Sequence, residues 1–174
     1  MLLKNPESDA AMEFGGYRIR KMLPKDNATM ATLVRSNLKA HGLDIPGTVY
    51  FDPCVDDLCS AYSQKEKQGY YVLVDTDDTV VGGIGFEETP VFPDCAEMQK
   101  LYLSDAVKGN GFGYALVSFI EERIKEAGFS AAYLETHHNL QVAIHLYEKC
   151  GYTKIERPAA VVHGAMDHFY YKQL

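Results

Sequence analysis

The chain has 174 residues, with 17 lysines and arginines against 24 acidic residues, and so a formal charge of −7. At 47% hydrophobic and 24% charged residues it is neither disordered nor collagen-like, and its length suits one domain with a full core. No apolar run approaches the ~20 residues of a membrane-spanning helix, and no basic block offers a nucleic acid an electrostatic footprint, so neither a membrane nor a nucleic acid is an expected partner.

Lys4 and Pro6 break the apolar start too early for a secretory signal. Cys54, Cys59, Cys95 and Cys150 show neither CxxC spacing nor the density of a disulfide scaffold. Both features point to a reducing compartment, and the expected location is the cytoplasm. Residues 1–15 read as a flexible tail and 16–174 as a single α/β domain without internal repeats. Weak alternation over 17–21 predicts a first strand. Pro24 and Asn27 then open a helix that runs to Gly42, with Met30, Leu33, Val34 and Leu38 on one face. A loop over 41–53, marked by Gly42, Pro46, Gly47 and Pro53, separates it from a second helix predicted over 56–67. The runs 70–74 and 79–86, joined by Asp75, Thr76, Asp77 and Asp78, predict a β-hairpin. Gly82, Gly83 and Gly85 in its second arm point to a bulge or to the close approach of another segment. Residues 96–103 predict a further strand, whose plain alternation sets Glu97, Gln99, Leu101 and Leu103 on one side.

Directly after that strand comes Lys108-Gly109-Asn110-Gly111-Phe112-Gly113. Leu116, Val117, Ile120 and Ile124 follow at the spacing of one helix face, with Glu121, Glu122, Arg123 and Lys125 on the other. A glycine turn between a strand and a helix suits an anion. Glycine adopts positive φ and keeps side chains clear, so successive N–H groups and the positive helix end can face a phosphate. Lys108 adds a charge at the rim. No Gly-Lys-Ser or Gly-Lys-Thr occurs, which excludes a P-loop, and the glycine spacing and late position do not fit a dinucleotide-binding unit. By itself the turn is also compatible with a purely structural connection. Downstream, 131–136 predicts a strand and 139–150 a helix, with Asn139 as N-cap and Gly151 as the C′ glycine. On that helix Asn139, Ala143 and Tyr147 form one stripe, and Val142, Leu146 and Cys150 an adjacent apolar one facing the sheet. Residues 169–172 predict a last strand.

The run from Lys108 to Gly113 resembles the Q/R-x-x-G-x-G/A signature of the GCN5-related N-acetyltransferase (GNAT) superfamily, with Lys in place of Gln or Arg at its first position. Asn139, Ala143 and the run Leu146-Tyr147-Glu148-Lys149-Cys150-Gly151-Tyr152 resemble that superfamily's N…A…LYEK-x-GF helix. The specific motifs are confined to 97–152. This resemblance implies an α/β (α+β) fold: a mixed, mostly antiparallel sheet of six or seven strands flanked by helices, with one central pair splayed apart. It also implies acetyl transfer from acetyl-CoA to a primary amine, on a small molecule or a peptide, by direct attack in a ternary complex. The residues it places on acetyl-CoA fall in three groups. Leu101, Tyr102 and Leu103 line the splayed strand, with the Leu101 N–H on the carbonyl and Leu103 beside the pantetheine. Lys108, Gly109, Asn110, Gly111, Phe112, Gly113 and Tyr114 surround the pyrophosphate. Asn139, Ala143 and Tyr147 belong to the closing helix. The resemblance makes Tyr147 the acid for the departing thiolate and Glu97 the general base; the plain alternatives are a core tyrosine and an edge-strand carboxylate. A non-catalytic acyl-CoA-binding or sensing module is the rival class that uses the same residues.

The six histidines (His41, His137, His138, His145, His163, His168) raise the question of a metal. His137 and His138 are neighbours expected to point apart, and His138 with His145 lacks an i, i+4 pair, so no metal is expected. The 12 tyrosines, among them Tyr50, Tyr62, Tyr70, Tyr71, Tyr170 and Tyr171, read mainly as half-buried packing residues with wet tips. A last strand at the sheet edge offers a surface for pairing in a homodimer.

Overall fold

The computed structural model describes residues 12–162 and 164–174, so most of the expected tail and His163 lie outside the described residues. One sheet holds β1 (Met12–Phe14), β2 (Tyr17–Lys21), β3 (Gln68–Val74), β4 (Val80–Glu88), β5 (Cys95–Leu103), β6 (Ala131–Thr136), β7 (Thr153–Ile155) and β8 (His168–Gln173). Its order is β1-β2-β3-β4-β5-β6-β8-β7, and every pair is antiparallel except β5 with β6. Eight strands exceed the expected six or seven because β1 and β7, of three residues each, are too short and too exposed to register as alternation. Pairing of Met12–Phe14 with β2 also shortens the expected tail. The C-terminal β8 lies between β6 and β7, so the edge expected there belongs to β7 instead.

Among the described residues, four helices flank the sheet: α1 (Asn27–Ala40), α2 (Leu58–Ala61), α3 (Phe112–Glu126) and α4 (Gln141–Lys149). Strand β3 shows how the two layers arise. Tyr70, Val72 and Val74 join the core under α1, while Leu73 and Tyr71 join the core under α3 and α4, the period-2 alternation of a strand covered on both faces. The expected second helix shrinks to a 3-10 turn (Pro53–Asp57) and one turn of α2. Residues 63–67 are all exposed, so they offer no apolar face to bury.

Helix α4 departs in phase from the expectation. Val142 is 84% exposed, and the buried face is Ile144 and Tyr147, flanked by Ala143, Leu146 and Cys150. Its N-cap is Leu140 rather than Asn139, because the preceding turn closes from the Leu140 N–H to the His137 carbonyl. Asn139 instead donates its side-chain amide to the His41 carbonyl at 2.9 Å. The other end is as expected: Gly151 has φ +89°, and the N–H groups of Gly151 and Tyr152 bond back to the Glu148 and Tyr147 carbonyls at 3.1 and 3.0 Å, a Schellman turn.

Candidate active site

Strands β5 and β6 run together through only three register pairs, Cys95–Ala131, Ala96–Ala132 and Glu97–Tyr133. Beyond Glu97 they share no further pair among the described residues, so the sheet opens toward the end of β5. On its other side β5 carries a bulge. The register with β4 jumps from Gly83–Tyr102 to Gly85–Gln99, and Lys100 sits at φ +51°. The extra residue reverses the alternation that the sequence predicts. Leu101 and Leu103 pack toward α3, whereas Gln99 faces the α1 side and accepts the Tyr62 hydroxyl at 2.5 Å.

Glycines make this bulge possible. A Cβ on Gly83 or Gly85 would stand 2.7 or 2.6 Å from the Tyr70 ring, so the ring lies flat over β4 only because both side chains are absent. From there the Tyr70 hydroxyl donates to the Lys100 carbonyl at 2.7 Å and fixes the bulge. Past the bulge, the Ser104 N–H donates to the Val81 carbonyl at 2.8 Å. Alternation then turns the N–H groups of Leu101 and Leu103 away from β4, into the opening. The Leu103 carbonyl on that side accepts from the Asn37 side-chain amide of α1 at 3.1 Å.

The glycine turn follows at the open end. Gly109 and Gly111 have φ +78° and +82°, and Gly111 caps α3 without a side-chain bond. None of the backbone N–H groups from Lys108 to Tyr114 has a protein acceptor among the described residues; the first helical bond is from Ala115 to the Gly111 carbonyl. These amides crowd the positive end of a 15-residue helix. Phe112 is held from outside by Phe14 and Tyr17, ring centroids 5.4 and 4.7 Å away. Gly113 lies against Leu146 of α4, which a Cβ would approach to 2.9 Å. Lys108 is turned to Asp105 at 2.6 Å.

Tyr147 points from α4 into the core at 8% exposure, and its hydroxyl has no hydrogen-bond partner among the described residues. Burial pushes its phenol well above the ordinary value, with Cys150 adding to the effect. Tyr102 is pushed up by burial and then by Tyr147. Glu97 ends the part of β5 that pairs with β6. Burial first, then the charges of Glu135 and Glu87, raise its carboxyl to about 7 against the opposing pull of Gln99 and Lys100. Sequence reasoning missed Tyr70, Tyr133, Glu135, Gln99 and Asn37 as site-shaping residues. Only Tyr70 left a signal, in the glycines that accommodate it.

His137 and His138 do not point apart: their rings lie 4.1 Å apart at 32°. Asp167 gathers them, accepting the His138 N–H at 2.9 Å and pairing with the His138 and His168 rings, while the Asn139 N–H donates to the His137 Nδ1 at 3.1 Å. His137, His138 and Asp167 are close enough to hold a cation, but each already spends a ligand atom on these bonds.

The profile of the Acetyltransferase (GNAT) family matches residues 36–152. The uncharacterized N-acetyltransferase YjgM of Escherichia coli K12 is 34% identical over 140 residues, 79% of this chain and 83% of that protein. The chain therefore belongs to the GNAT acetyltransferase family and is by membership an acyltransferase. Its fold matches an acetyltransferase of the GNAT family from Staphylococcus aureus Mu50 with TM-score 0.80 at 16% identity, over 91% of this chain and 99% of that one. It also matches the PaiA N-acetyltransferase of Thermoplasma acidophilum, solved in complex with coenzyme A, with TM-score 0.71 at 20% identity, again over 91% and 99%.

Proposed function

We propose that the protein transfers the acetyl group of acetyl-CoA to a primary amine by direct attack in a ternary complex. The observation that carries this reading is the row of unpaired amides at 108–114, set beside an opening between β5 and β6. That row suits a diphosphate, and the opening suits an extended chain leading away from it. The PaiA protein with its bound coenzyme A supports the same assignment.

The chemistry needs few groups. A primary amine has a pKa of ~10.4 and must lose a proton before it attacks. Glu97, raised to about 7, is matched to accept that proton near neutrality. The amine nitrogen bonds to the thioester carbon, the Leu101 N–H steadies the oxygen, the C–S bond breaks, and the nitrogen releases its surplus proton to solvent, from which Tyr147 regains the one it gives up. Tyr147, kept protonated by burial, supplies a proton to the leaving thiolate. Glu87, Glu97 and Glu135 make the acceptor end negative, which suits an amine arriving as its ammonium form.

Calorimetry with acetyl-CoA and release of free CoA across a panel of primary amines test the proposal. Micromolar binding and turnover with at least one amine are expected. Absence of binding overturns it, and binding without turnover on any amine assigns the chain to the sensing class instead.

A further inference from the structure

Three carboxylates stand side by side on one face of the sheet. Glu87 of β4 is the direct register partner of Glu97 on β5, and Tyr133 of β6 is its partner on the other side. Two residues further along β6, on the same face, is Glu135. Neither flanking carboxylate is loose. The Tyr133 hydroxyl, itself fully buried, donates to Glu135 Oε1 at 2.9 Å. The Gln99 amide donates to Glu87 Oε1 at 3.0 Å, and the Tyr62 hydroxyl orients Gln99 from behind. The remaining groups facing Glu97 are Lys100, whose Nζ lies 3.3 Å from the Tyr62 hydroxyl, and the buried Cys95 thiol. Two like charges, of which Glu87 is also 4.0 Å from the exposed Lys65 Nζ, therefore oppose Lys100 around the middle carboxylate.

We infer that Glu135 is a positioning residue for Glu97: a neighbouring charge, held in place by Tyr133, that sets the pH at which Glu97 takes up and releases its proton. The inference rests on the reading of Glu97 as general base, and it deepens that reading by naming what tunes the base. Among the charges acting on Glu97, Glu135 has the largest effect, ahead of Glu87 and Lys100. Like charges sharing a site cannot all ionise freely, so the middle one holds its proton longest.

The test is Glu135→Gln, which keeps shape and removes charge. Carboxyl NMR of Glu97 in the ligand-free protein reads its titration directly, and the acidic limb of kcat/KM reads it in turnover. Both are expected to move about half to one pH unit lower. Tyr133→Phe, which frees Glu135 without deleting it, should move them in the same direction by less, and it keeps the test alive should Glu135→Gln fold poorly. A Glu97 titration unmoved in both variants, or a loss of activity equal at every pH, overturns the inference. The NMR readout does not depend on catalysis. If Glu97 shifts in Glu135→Gln while Glu97→Gln retains full activity, the pairing stands and the general-base reading falls.

Discussion

A phenol and a carboxylate in the same protein are perturbed in the same direction by burial, yet the consequences at neutral pH are opposite. Tyr147 is held in its protonated form, which suits the proposed donor; Glu97, at about 7, is poised between forms, which suits the proposed acceptor. Replacing Tyr147 with Phe removes the donor and little else, because its hydroxyl bonds to no described residue. We expect kcat to fall by about 10²-fold with the KM for acetyl-CoA nearly unchanged, measured by CoA release. An equal rise in KM would make the hydroxyl a binding group. The sequence singled out both as candidates, Tyr147 through the motif on its helix and Glu97 through its place before the glycine turn. Glu135 and Tyr133 were not. Their roles come from neighbouring strands brought into register, and spacing along one strand carries no record of that.

At the scale of elements, the sequence signalled most strands and α3, and it failed where one residue changes a phase. A strand reads as strict alternation only until a bulge, and Lys100 is an ordinary residue holding a left-handed conformation that nothing local announces. The glycines of β4 are the trace of that bulge, left one strand away. Likewise α4 begins one residue later than its cap residue suggests, and Val142 faces outward. Two glycine substitutions separate the physics of these elements. Gly85→Ala drives a Cβ to 2.6 Å from the Tyr70 ring, so it should displace the ring that fixes the bulge and destabilise the protein by about 1–3 kcal/mol in urea unfolding. Gly111→Ala meets no atom within 4 Å and acts only through its φ of +82°. It should lower stability by about 1 kcal/mol while reorienting the N–H row, so acetyl-CoA affinity falls more than stability does. If Gly111→Ala binds acetyl-CoA as tightly as the parent, the turn is a structural connection.

For the molecule as a whole, stability against pH follows from groups in different places pulling in opposite directions. Glu97 is half-buried, and its carboxyl is raised to about 7 from an ordinary 4.5. Between those values the folded chain keeps a proton that the unfolded chain has released. Its contribution is complete below about pH 4.5 and is lost as pH rises through about 7. Asp78 and Asp167 behave in the reverse sense. Arg20, Lys25 and Arg18 hold the Asp78 carboxyl well below the carboxylate range; burial raises Asp167, but bonds from His138 and His168 outweigh it. Their contributions are present above the ordinary carboxylate pKa and fade as pH falls toward their depressed values. For these three groups together, the joint contribution is largest in mildly acidic solution, below the pH at which the proposed base is fully ionised. If Glu97 is the base as proposed, its burial disfavours, on the alkaline side, the charge state that turnover needs. Glu97→Gln isolates the effect. A difference of about 2.5 in pKa corresponds to on the order of 3 kcal/mol, so the variant should match the parent near pH 4.5 and exceed it by up to that amount at pH 9. Urea unfolding of both proteins at the two pH values measures it, and parallel pH dependences would mean that Glu97 titrates as an ordinary surface carboxylate.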